Sequence, residues 1–322
     1  MSPSVRLSPL GWFCAAALVA VVGGTAWTSL NAIAGLSASP FVTYALPVAR
    51  VLMNVGSVLV VGCALVPVLS GRVVRSATAG GIAAASVVAL ASLVTLVLQV
   101  AELWPVTVPN VLRYIKLVVV GQSLLATVVL ALACLVVGAV SLRRPLLIPA
   151  ELRFVLALCA VVPLPLTGHA RGSEYSDVTV LTLQAHVLAA AAWTGGLLAL
   201  VMILAHLPAV LAVALPRFSL LATIAIAAVA LSGLVNSGVE LGTTPGVGLA
   251  GFFTTTYGLI SLAKVACVGS VAFLGGTIRT RLLPRIVLRE RTAFVSLALV
   301  EIGVLGVCYG LGTVLSRAPV IA

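Results

Sequence analysis

The chain has 322 residues, 62% of them hydrophobic and 8% charged, with a formal net charge of +11. Its mean hydropathy is +1.28. Soluble domains carry roughly 25% charged residues, so this chain cannot cover a water-facing surface and must be solvated by lipid. The positive charge would point to nucleic acid in a soluble protein, but here the basic residues sit in short loops between apolar runs, where membrane orientation accounts for them. No nucleic-acid partner is expected.

A membrane-crossing helix needs roughly 20 mostly apolar residues. In chain order the sequence predicts about nine, near 10–34, 46–69, 79–100, 115–140, 150–167, 179–204, 218–239, 257–278 and 292–315. The first apolar stretch is too long for a cleavable signal peptide and no A-x-A-like site closes it. The fifth is the shortest and ends in Pro163 and Pro165. The predicted fold class is therefore all-α, a polytopic transmembrane helix bundle. The Arg-rich link 141–153 divides it into an N-terminal four-helix membrane region (1–145) and a five-helix membrane domain (146–322).

Orientation follows from the loops. With the N-terminus inside, one side holds Arg6, Arg72, Arg75, Arg143, Arg144, Arg153, Arg217, Arg279, Arg281, Arg285, Arg289 and Arg291. The other holds Arg50, Arg113, Lys116, Arg171 and Arg317, together with Glu102, Glu174, Asp177 and Glu240. The positive-inside bias places the first set in the cytoplasm and the C-terminus outside. Lys116 and Lys264 are the only lysines among the 18 basic residues, and Ala, Val and Gly are abundant. That composition points to a GC-rich bacterial gene. The 101–114 stretch, with Trp104, Pro105, Pro109 and Tyr114, suits an interfacial loop, and the Gly- and Thr-rich stretch 240–256 suits a segment that dips into the bilayer.

Polar residues within spans are costly and are functional candidates by default. Lys264 and Glu301 fall on sequential antiparallel helices, where pairing is the expected reading and a proton- or ion-coupled element the sharper one. His186 opens the stretch HVLAAAAWTGGLLAL and shares a helical stripe with Ala190, Trp193 and Leu197. Gly195 and Gly196 are small enough to admit a neighbouring helix beside it. A hydrogen bond to that neighbour would equally explain the histidine. His169 follows the proline-broken fifth helix, and broken helices often line binding sites. The two histidines flank one outer loop, so they are free to converge. Met53 lies near the outer end of the second helix at a depth similar to His186, as a ligand candidate or as ordinary core. Imidazole and thioether suit a soft ion such as Cu(I). The six cysteines (Cys14, Cys63, Cys134, Cys159, Cys267 and Cys308) all fall inside apolar runs without a C-x-x-C pair. That spacing supports neither a zinc site nor a disulfide framework, and small buried apolar residues are the expected reading.

The elements HVLAAAAWTGGLLAL, RFSLLATIAIAAVALSGLVN, TTYGLISLAKVACV and RTRLLPR, followed by Glu301, resemble in order the copper resistance protein D (CopD) family over roughly residues 150–318. The whole chain is similar to a subgroup in which extra N-terminal helices precede this region and a cytochrome oxidase assembly (CtaG-like) membrane domain follows it. The TGHA element at Thr167–Ala170 fits that subgroup, whereas SEYSD at 173–177 lacks a histidine often found there. Ala322 falls where the second domain would begin. The resemblance implies copper transport or copper resistance at the bacterial membrane, with uptake from the periplasmic side. It carries over His186, Trp193, Lys264 and Glu301, and His169 from the subgroup. A periplasmic copper-binding protein or oxidase assembly components are the implied partners. Two further readings stay open at this point, a haem-binding redox or haem-pathway protein and an oxidase assembly scaffold. No hydrolase triad, P-loop or dinucleotide fingerprint is present, so an enzyme is not expected.

Overall fold

The computed structural model describes residues 8–30, 40–167, 176–287, 294–316 and 318, and among them all regular structure is helical. Eight helices are long and apolar enough to cross a bilayer. They are α1 (Pro9–Leu30), α2 (Pro40–Ser70), α3 (Arg75–Leu103), α5 (Val119–Arg143), α7 (Ser176–Ala199), α8 (Pro208–Thr243), α10 (Thr256–Thr277) and α12 (Phe294–Leu315). Four short helices join them: α4 (Val108–Leu117), α6 (Ala150–Cys159), α9 (Gly251–Thr254) and α11 (Leu283–Val287). In lipid every backbone N–H and C=O must be paired within its own segment, so an apolar run this long can only be helix. The ends are set locally. A tight turn with Gly71 at φ 65° separates α2 from α3. A π turn (Leu200–Leu204) closes α7, and Pro208, whose missing N–H costs nothing at a helix start, opens α8.

Side-chain contacts give the direction of each helix. Gly56 packs on Val88 and Cys63 on Gly81, so α2 and α3 are antiparallel. On α7 and α8, Thr182 meets Asn236, His186 meets Gly233 and Gly196 meets Phe218, again antiparallel. Ser237 meets Ser261 and Thr223 meets Arg279, which sets α10 against α8. Trp12 meets Gly303, Phe13 meets Gly306 and Ala17 meets Gly310, so α1 and α12 run parallel. Arg217, near the start of α8, donates to the Leu69 carbonyl at the end of α2 at 2.9 Å. Hence α2 is antiparallel to α8 and parallel to α7. One end of the bundle collects Arg72, Arg75, Arg143, Arg144, Arg217, Arg279 and Arg281, seven of the twelve arginines that loop charge assigned to one side.

The fifth span departs from its sequence expectation. The stretch 150–167 was expected as one crossing helix, but α6 stops after ten residues and continues as a turn and a 3₁₀ segment (Leu164–Thr167). Ten residues rise about 15 Å, half of the hydrocarbon thickness. Pro163 lacks a backbone N–H, and Pro165 two residues later lacks another, so the helix cannot continue. The chain nevertheless changes sides here, because α5 ends at the Arg-rich end and α7, parallel to α2, starts at the opposite one.

The 101–114 stretch is not a plain loop. Thr107 caps α4, accepting from Asn110 N at 3.4 Å, and the Arg113 guanidinium stacks over Trp104 at 5.3 Å. Tyr114, 2% exposed, donates to the Gln99 amide oxygen at 3.1 Å, tying this short amphipathic helix to α3. The Gly-rich stretch after α8 forms turns at Gly246 and Gly248, both with positive φ, before α9.

Candidate functional site

His186 sits ten residues into α7, and its ring is held by α8. Nδ1 lies 3.1 Å from the Val229 carbonyl oxygen and 3.0 Å from Ser232 Oγ. A carbonyl only accepts, so a hydrogen bond from the ring to Val229 requires the Nδ1–H tautomer, in which Nε2 keeps its lone pair. A histidine whose second ring nitrogen donates to a backbone carbonyl is the usual arrangement around a bound metal. The same polar seam continues outward, where Thr182 Oγ1 donates to Asn236 Oδ1 at 2.9 Å and Asn236 donates to the Ser232 carbonyl at 2.8 Å.

Met53 is buried at 2% exposure. Its level follows from the crossing of α2 and α7. There Gly62 and Gly195 meet backbone to backbone, and a Cβ on either would overlap the other helix. Met53 and His186 are each nine residues from that crossing on parallel helices, so both stand about 13 Å toward the same end. The structure thus puts them at one depth, as the sequence suggested, on neighbouring helices. His169 lies outside the described residues. Gly196 backs onto Phe218 and Leu65, so both glycines of the pair make close packing beside His186.

Lys264 and Glu301 are not brought together. A Cβ on Gly312 would lie 3.6 Å from Lys264 Nζ, and one on Gly275 would lie 3.9 Å from Glu301 Oε1. Lys264 therefore faces Gly312, while Glu301 faces Gly275, eleven residues further along α10. That is an axial separation of about 16 Å, beyond the reach of a lysine stem. The physical reason is the antiparallel register, since Lys264 is near the start of α10 and Glu301 near the start of α12, at opposite ends. Glu301, 4% exposed, has the Trp193 indole as its polar neighbour instead. Trp193 is 2% exposed and links α7 to α12. The ionisable side chains within electrostatic reach of Lys264 are instead Cys308, Cys267 and His186. Sequence reasoning missed this thiol pair. Only the register between α10 and α12 reveals it, because no short motif joins residues 41 positions apart. Among the described residues no three His, Cys, Asp or Glu side chains gather as a metal-binding group.

A lipid-solvated bundle of long apolar helices, with a few polar side chains joined across helix pairs, defines a polytopic integral membrane protein. Two family models match it: Copper resistance protein D-like, N-terminal domain, over residues 38–176, and Copper resistance protein D over residues 212–315. The chain belongs to the copper resistance protein D family, and is a membrane protein of the copper-resistance class. Met53 and His169 fall within the first match, Lys264 and Glu301 within the second, and His186, Trp193, Gly195 and Gly196 between them. Neither the curated proteins nor the solved structures gave a match.

Proposed function

We propose that the protein binds copper ions at the outward half of the bundle and passes them into the membrane, with His186 as the central ligand. The observation that supports this most is the fixed imidazole. Val229 and Ser232 hold Nδ1, so Nε2 is left as a neutral, soft donor at the depth of the Met53 thioether. His169, on the link that precedes α7, is the third candidate ligand. Imidazole and thioether bind Cu(I) without bringing a carboxylate into lipid. On this reading the Arg-rich end faces the cytoplasm of a bacterium, the site opens toward the periplasm, and a periplasmic copper-binding protein is the natural donor. The protein holds and moves the ion and turns over no substrate.

The test is copper binding by purified protein and cellular copper content for His186→Ala, His169→Ala and Met53→Leu, each checked for membrane insertion. His186→Ala is expected to abolish accumulation, and Met53→Leu to reduce it by a smaller factor. Parental binding and accumulation in both histidine variants would place the site elsewhere. A Soret band in the purified protein would favour the haem reading, and copper-independent co-purification with oxidase subunits the scaffold reading.

A further inference from the structure

We propose that Cys267 and Cys308, facing each other across α10 and α12, form a two-thiolate site for a soft monovalent metal ion, with Lys264 as its counter-charge. The placement rests on register. Lys264 stands against Gly312 and Glu301 against Gly275, so the antiparallel pair brings residue 267 opposite residue 308. The two thiols also lie within electrostatic reach of each other. Lys264 is one turn from both, three residues before Cys267 on α10 and level with Gly312, four residues after Cys308 on α12. Gly312 has no side chain, and that gap is where the ammonium lies.

Charge decides which ligand fits. Two sulfur atoms from two rigid helices suit the low coordination numbers of Cu(I) and Ag(I), and thiolate selects soft ions. Binding releases one proton from each thiol and forms two metal–sulfur bonds. A monovalent ion, two thiolates and one ammonium then sum to zero, whereas a divalent ion would leave an excess charge in lipid, which is expensive. The neutral set also supplies Lys264 with the partner that Glu301 is too distant to provide. His186 lies within electrostatic reach of Lys264, and the α8–α10 pairings of Ser237 with Ser261 and of Thr223 with Arg279 put the thiol pair near the level of the histidine. That the ion is copper rests on the reading above, while the preference of the pair for soft monovalent ions does not.

The experiment uses the full chain in detergent under reducing conditions, loaded with one equivalent of Cu(I) or Ag(I) against a chromophoric competitor. X-ray absorption at the metal edge reads the ligands. Wild type is expected to show two sulfur neighbours, and Cys267→Ser with Cys308→Ser to lose them together with more than about tenfold in affinity. A double variant that keeps the affinity and sulfur shell of wild type overturns the proposal. Should that variant fail to fold, a second chain, with Cys14, Cys63, Cys134 and Cys159 changed to Ser, must retain the sulfur shell, and its loss there overturns the proposal equally. A Cys267–Cys308 disulfide in protein taken directly from cells overturns it too. His186→Ala separates the two readings, because it leaves the sulfur shell intact if the thiol site stands and alters copper accumulation only if the outward site does.

Discussion

Glu301 and Lys264 each bring an ionisable group into the bundle, and each is met by a different neighbour. For Glu301 the neighbour is Trp193, whose indole N–H is the polar group nearest in effect to the carboxyl while its ring fills a fully buried position. Trp193→Ala therefore removes both packing and the donor, and a loss of about 3–5 kcal/mol is expected from the packing alone. A double-mutant cycle discriminates the pairings. Trp193→Phe and Glu301→Gln should couple by about 0.5–3 kcal/mol, as residues in contact do. Lys264→Met and Glu301→Gln should add, since about 16 Å of helix separates them. Thermal unfolding in detergent measures both cycles, and coupling in the second cycle but not in the first would refute the placement.

Between elements, close approach is set by glycine. Gly62 and Gly195 let α2 and α7 touch backbone to backbone, Gly306 and Gly310 do the same for α12 against α1, and Gly303 makes room for the Trp12 ring. Lipid tails are as apolar as leucine, so such helices associate through packing of small residues rather than through the hydrophobic effect. Gly195→Leu or Gly62→Leu drives a side chain into the opposite backbone. Overpacking typically costs about 1–3 kcal/mol, and a clash with backbone cannot be relieved by a rotamer change. Folded yield on gel filtration is expected to fall sharply for both, and copper binding with it, because the crossing sets Met53 level with His186. Gly238→Leu is the control, since nothing lies within 4 Å of its added Cβ, and it should leave yield unchanged. Equal behaviour of all three variants would count against the crossing.

At the scale of the whole molecule, eight long helices lie among the described residues, and with the broken segment counted as a ninth passage the expected topology is odd. The parallel course of α1 and α12 requires this odd number. The consequence is testable with a reporter active only outside the cytoplasm. Fusions after Arg144 and after Arg281 should be silent, and fusions after Val178 and after Arg317 active. Equal activity after Arg144 and Val178 would mean that α6 and its 3₁₀ extension do not cross, and the parallel course of α2 and α7 would then have to be abandoned.

Composition and period by themselves determined the lipid-solvated class, the all-α architecture and eight of the nine expected spans as long helices. These are properties of single segments, because a helix in lipid pairs its own backbone and needs no partner to exist. The order of CopD-like elements around His186, Trp193, Lys264 and Glu301 was likewise legible along the chain. What the tertiary structure alone decided are distances between segments. It separated Lys264 from Glu301, gave Glu301 to Trp193, tied His186 Nδ1 to Val229 and Ser232, and set Cys267 opposite Cys308. Hydropathy cannot supply those facts, since an apolar helix reads alike on every face. The rotation and register of two such helices are set by where glycines let them meet.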